Sequence, residues 1–354
     1  MNKGSIILVG GPASGKTNYI ARLWLAFAAK KGRLRAPQLP GNIEYVNQAV
    51  AHLQERKFAP RSDKNMEESG RRDFTITVRG DEGAGPPRDL TVPDITGELW
   101  SRAIKSYELP QDWMDALQAS SSAILFIGAH SKFNHQPMNW VTARDLLQGH
   151  EEEDDDDLDE NDDDYGDDED EDGEPIANPT APVGGEVAGT DEVETIVVDL
   201  PDAASPVEAD GGDDLPDVAQ KRDVLPAQVG FCELVRYLSL LLSDRADGGK
   251  PRVAIVITAW DMLDLKAKKA GPMKYLEDQF PMFAGRIRTP GRLDIDVFGM
   301  SIVGGNLRGT PNKAFRESLK GRDLADVGYT AVMREGVMVE DGDVTLPLAW
   351  ALGN

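Results

Sequence analysis

The decapeptide LVGGPASGKT, residues 8–17, decides how the rest of the chain is read. Its core, Gly10-x-x-x-x-Gly15-Lys16-Thr17, has the full Walker A spacing and stands in the context that spacing requires. The β-branched run Ser5–Val9 before it reads as a strand. After it, Ile20, Leu23, Trp24, Phe27 and Ala28 recur at helical spacing, with Gly32 as the stop. A glycine-rich turn at a helix start gathers backbone N–H groups at the positive end of the helix, which makes a cradle for phosphate oxygens. Gly10, Ala13, Ser14 and Gly15 are the cradle residues. Lys16 is placed to reach the β- and γ-oxygens, and the Thr17 hydroxyl to ligate Mg²⁺. A turn that merely joins strand to helix has no need of Lys-Thr after its second glycine.

The charge balance separates a body from an insertion. Of the 62 acidic residues, 31 fall between Asp145 and Gln220, a stretch without Lys or Arg. The remainder carries 38 basic against 31 acidic residues, a net charge of +7. Such a body suits a phosphate-bearing ligand, and the excess is too weak for a nucleic-acid groove. Residues 151–174, EEEDDDDLDENDDDYGDDEDEDGE, repel one another and offer almost nothing apolar to bury. The expectation is a disordered acidic insert over 150–226 within a single domain spanning 1–354. The segment DEDEDG (168–173) begins like a calcium loop, but Pro179 stands where the twelfth-position Glu is needed.

The lone cysteine, Cys232, excludes an internal disulfide and reads as a core thiol on a helix. The four histidines (His52, His130, His135, His150) have no ligand spacing, so Mg²⁺ is the only metal expected. No run of 18 apolar residues exists, and the N-terminus lacks the features of a secretory signal. A cytoplasmic protein away from membranes is expected.

Strands and helices alternate along the body. A helix is predicted over Ile43–Glu55, then strands at 73–80 and 89–95 joined by the turn-rich DEGAGPP. A helical stretch Leu99–Gln118 breaks around Pro110, and the apolar run 122–131 reads as a strand covered on both faces. Beyond the insert come a helix at 229–243, a strand at 252–261, a helix over MKYLEDQFPMF (273–283) and a strand at 293–305. VMVEDGDVTL (337–346) predicts a hairpin turning at Asp-Gly, and LPLAWAL (346–352) a short helix. The fold class is α/β: a mostly parallel sheet with helices on both faces.

Three further motifs come in order. A phosphate loop needs a partner acid at a neighbouring strand end to hold Mg²⁺ through water. Asp94 stands there, opening DITGE, an Asp-x-x-Gly pattern with Gly97 and then Glu98. After the later strand comes VITAWD, in which Thr258 and Asp261 keep the spacing of an Asn/Thr-Lys-x-Asp guanine reader, with Ala259 at the lysine position. A carboxylate there accepts two hydrogen bonds from guanine; alternatively Asp261 caps the segment after it. Ser301 in MSIVG is the last candidate for contact with the base.

The ordered set GGPASGKT, DITGE and TAWD resembles the TRAFAC-class P-loop GTPases, and within them the bacterial double-GTPase group associated with conflict or defence systems. The resemblance spans roughly 4–131 and 229–304. It implies a Ras-like fold that binds GTP and Mg²⁺, with Asp94 backing the metal and the Gly97 amide at the γ-phosphate. It further implies Glu98 orienting the attacking water, and slow hydrolysis that switches an assembly of partner proteins. A switch hydroxyl is sought in 58–72, where Ser62 is nearest, and Arg61, Arg71 and Arg72 are candidates for an arginine finger. Two alternatives stand beside this: a P-loop ATPase or small-molecule kinase, and a nucleotide-bound scaffold that does not hydrolyse.

Overall fold

The computed structural model describes residues 3–39, 43–60, 71–80, 88–95, 97–129, 131, 134 and 226–353. The chain divides into two units, Met1–Leu147 with Asp223–Asn354, and Gln148–Arg222. The second unit, and with it the expected acidic insert apart from Pro226, lies outside the described residues. The described strands and helices all belong to the first unit.

Three strands carry unbroken apolar runs, Ile6–Val9 in β1 (Lys3–Val9), Ala123–Ile127 in β5 (Ser122–Gly128) and Val253–Ile257 in β6 (Arg252–Thr258). They pair in parallel, β1 with β5 and β5 with β6. Successive side chains of a strand point to opposite faces, so each strand must feed two cores. Ile6, Leu8, Ile124, Phe126, Ala254 and Val256 enter one; Ile7, Val9, Ala123, Leu125, Val253 and Ile255 enter the other. The first core is closed by α1 (Lys16–Ala28), α2 (Glu44–Gln54) and α9 (Leu346–Leu352). The second is closed by α3 (Gly97–Ser106), α4 (Gln111–Gln118), α5 (Ala227–Leu241), α7 (Pro272–Gln279) and α8 (Pro281–Arg288).

Among the described residues the sheet extends to nine strands in the order β2-β3-β4-β1-β5-β6-β7-β8-β9. β3 (Arg71–Gly80) and β4 (Arg88–Ile95) form an antiparallel pair, and β4 runs parallel to β1. β7 (Asp294–Ser301) continues the parallel set, then β8 (Tyr329–Arg334) runs against β7 and β9 (Val337–Asp341) against β8. The two-residue edge strand β2 (Leu34–Arg35) has no sequence signal of its own.

Local chemistry moved several predicted boundaries. Helix α1 stops before Gly32: Lys30 takes the left-handed conformation (φ 55°), and its N–H bonds to Phe27 O. Gly32, past the helix end, has a φ of 93° that favours glycine, and a Cβ there would also overlap the Asp343 carboxylate. The single helix expected over 273–283 is two, because Pro281 has no N–H to continue α7 and starts α8 in its place. The strands expected to 261 and 305 end at Thr258 and Ser301. The hairpin turns at Glu335–Gly336, both at positive φ (51° and 78°), not at Asp341-Gly342. Two left-handed residues give the turn whose twist matches a β-ribbon. Cys232 is only half-buried on α5, where burial pushes its thiol up.

One buried cation ties α1 to the distant tail. Arg22 is 1% exposed, and its guanidinium donates to the carbonyls of Ile302 (3.2 Å), Ala325 (3.1 Å) and Val327 (2.6 and 3.1 Å). Burial pushes its pKa down to about 10, against the pull of Asp323, Asp326 and Asp343, so it stays charged at neutral pH. Arg22→Met leaves those carbonyls without their donor and should cost about 3 kcal/mol of stability, read from the urea midpoint. A loss below about 0.5 kcal/mol would show that the tail is held by apolar packing alone.

Candidate functional site

The loop Gly10–Gly15 runs from the end of β1 into α1 over the carboxyl edge of the sheet. Its conformation depends on missing side chains. A Cβ at Gly10 would come within 2.8 Å of Ser14 Oγ and 2.9 Å of Phe126 O. Gly15 is left-handed (φ 88°), and a Cβ there would press on Thr258 at 3.0 Å. Ala13 is also left-handed (φ 52°) and exposed, a conformation that costs a non-glycine residue roughly 1 kcal/mol. No side chain caps α1 and its first turn holds no acid, so its leading N–H groups face the loop without a built-in anion.

Lys16 lies inside this loop, 8% exposed. Its Nζ donates to Gly10 O at 2.7 Å, Gly11 O at 3.3 Å and Ser14 Oγ at 3.5 Å. Thr17 comes next in the first helical turn, half-buried.

Asp94 stands at the strand end predicted for it: β4 lies beside β1 in parallel with Leu8 opposite Asp94, which sets it next to the start of the loop. On the other side Asp94 pairs in register with Arg72 of β3. Gly97, the first residue of α3, is buried against the loop so closely that a Cβ would overlap Gly11 C and Pro12 N. Glu98 occupies the next position of α3. Arg61 and Ser62 lie outside the described residues.

Thr258 supports the loop from behind. It is 5% exposed and its hydroxyl donates to Ser14 O at 3.0 Å. The chain then turns sharply through Ala259 (φ 55°, ψ 35°) into the 3₁₀ turn Trp260–Met262, which carries Asp261 half-buried. Trp260 is fully buried, its ring packed where a side chain at Gly299 would be. The alternative role of Asp261 as a helix cap is not realised. Asp264 caps α6 (Leu265–Ala270) instead, its carboxylate accepting from Ala267 N at 2.7 Å. Thr258 pairs with Met300, so the turn bearing Asp261 and the loop after β7 are neighbours. Ser301 is there, but its hydroxyl oxygen is committed to the Gly304 N–H at 2.9 Å.

The structure therefore gathers the Gly10–Thr17 loop, Asp94, Gly97, Thr258 and Asp261 along one edge of the sheet. It adds Lys268, whose ammonium donates to Asp261 O, and Tyr329, which pairs in register with Ser301. No local pattern marks either one; each is brought in by a later element. Among the described residues no cluster of His, Cys, Asp and Glu forms a metal site, and no helix is long and apolar enough to cross a membrane.

A mostly parallel sheet in which β3 and β8 run against the other strands, helices on both faces and a phosphate loop after its first strand define a Ras-like P-loop α/β domain. The family model Double-GTPase 1 matches residues 7–351, and the chain belongs to that family of GTP-binding proteins. No curated protein matches it. A solved structure similar to it is "Signal recognition particle receptor SRb-GTP/SRX complex from Chaetomium thermophilum", at 10% identity and a TM-score of 0.32, over 90% of this chain and 98% of that one.

The contact at Gly97 is testable without nucleotide. Gly97→Ala should destabilise the protein by about 1–3 kcal/mol, as overpacking does, by forcing the loop and α3 apart. Gly285→Ala on α8, where a Cβ meets nothing, should instead stabilise by roughly 0.5–1 kcal/mol. Equal melting temperatures for the two variants would contradict this packing.

Proposed function

We propose that this protein is a guanine-nucleotide switch: it binds GTP with Mg²⁺, hydrolyses it slowly, and controls a multi-protein assembly, in bacterial defence, through partners that regulate turnover. The observation that carries the reading is the abutment of Gly97 on Gly11–Pro12. The segment expected to sense the γ-phosphate rests on the loop expected to hold the β-phosphate.

In this reading the amides of Gly10 to Thr17 wrap the phosphates, and the Lys16 ammonium moves from the Gly10 and Gly11 carbonyls onto β- and γ-oxygens. The fit rests on a cradle that a Cβ at Gly10 or Gly15 would crowd, at the start of a helix with no acid in its first turn. Mg²⁺, held by Thr17 and through water by Asp94, would supply neutralising charge at the phosphates. The Gly97 amide reads the γ-phosphate and Glu98 orients the attacking water. Thr258 braces the loop, Asp261 accepts hydrogen bonds from guanine, and the Ser301 loop closes the base site. Residues 1–354 form a single cytoplasmic domain interrupted by the acidic segment 150–226, acting on partner proteins rather than on nucleic acid.

Competition between labelled GTP and ATP analogues in the presence of Mg²⁺ tests the core of this. GTP should win, and no measurable affinity for either nucleotide would sink the proposal. Lys16→Ala should weaken triphosphate binding at least about a hundredfold while the melting transition persists. Glu98→Ala should leave binding intact and slow turnover by about tenfold or more. Binding without any turnover in the native protein would favour the scaffold reading.

A further inference from the structure

The Thr258-Ala259-Trp260-Asp261 turn lacks the lysine that its motif carries at the second position. Its backbone is nevertheless fastened on several sides. Trp260 and Leu263 anchor it in the core, and Met262 N returns to Ala259 O at 3.0 Å. The Asp264 cap and the bond from Lys268 N to Asp264 O (3.0 Å) set the first turn of α6. One turn along that helix, the half-buried Lys268 reaches back and donates its Nζ to the Asp261 carbonyl. From β8, Tyr329 stands opposite Ser301. Burial, then the carboxylates of Glu340 and Asp261, push its phenol up.

We infer that Lys268 is a positioning residue for base recognition: by holding the Asp261 carbonyl it fixes the turn so that the Asp261 side chain is presented as a two-point acceptor, and it brings from α6 the cation missing at position 259. The inference rests on the GTP-binding reading above. Its physical basis is preorganisation. Two hydrogen bonds to one carboxylate require that the carboxylate not swing, and a main-chain anchor adjacent to it removes that freedom.

The experiment uses the full chain with Mg²⁺ and compares GTP, ITP, which lacks the 2-amino group, and ATP. The native protein should prefer GTP to ITP and ITP to ATP. Lys268→Met should weaken GTP by about five- to tenfold, the size of one ordinary hydrogen bond, shrink the GTP-to-ITP ratio and leave ATP affinity unchanged. Lys268→Arg, which keeps a cationic donor, should retain the GTP-to-ITP ratio. A melting scan of each variant checks that the fold is kept. The inference is overturned if Lys268→Met binds GTP like the native protein, if GTP and ATP affinities fall together, or if the arginine variant loses the ratio as well. A native protein that binds none of the three overturns this inference and the GTP-binding reading together. Native binding with an indifferent Lys268→Met overturns only the role of Lys268.

Discussion

Everything at the carboxyl edge of this sheet depends on how closely main chain can approach main chain around one turn. Gly10 leaves room for Ser14 Oγ and Phe126 O, Gly15 for the Thr258 side chain, and Gly97 for the backbone of Gly11 and Pro12. Each is a place where the smallest side chain would intrude. The result is a tightly turned loop, supported from behind by the Thr258 hydroxyl on Ser14 O. Lys16 is held within it by the carbonyls of Gly10 and Gly11. An anion competes for that ammonium on favourable terms, because charge-assisted bonds to phosphate are stronger than those to neutral carbonyls.

The sheet beneath makes the edge rigid. Strands buried on both faces cannot shift register without exchanging the residues of two cores at once. Arg22 adds a fixed link between α1 and the carbonyls of 302–327, a segment that starts one residue after Ser301. The helix that begins at the phosphate loop and the chain beyond the proposed base loop are thus joined through one buried guanidinium. Removing its donors would leave buried carbonyls unsatisfied, which is more costly than never having made the bonds.

At the other end of the site, a departure from motif coexists with a well-fastened turn. Ala259 adopts a left-handed conformation and contributes no side-chain cation, yet Trp260 fills the space beside Gly299 and Lys268 bonds the Asp261 carbonyl. The extra hairpin β8–β9 borders this region through the pairing of Tyr329 with Ser301. The Thr258–Asp261 turn therefore packs against later elements of the chain as well as resting on its own four residues.

The amino-acid sequence alone determined the parallel core, the phosphate loop and the order of the motifs, because each is written in short-range terms: apolar runs, helical spacing, and glycines at fixed offsets. Asp94 at a strand end and Gly97 at a helix start were legible for the same reason, from DITGE between a strand pattern and a helix pattern. Where two local signals competed, the local pattern misled. Glu335–Gly336 took the hairpin from Asp341-Gly342, and Asp264 took the capping role offered to Asp261. Only the tertiary structure decided that Gly97 rests on Gly11–Pro12, that Arg22 binds carbonyls some 280 residues or more away, and that Lys268 meets Asp261. Those contacts depend on where whole helices and strands come to lie, and packing fixes that globally, with no trace in the spacing of neighbouring residues.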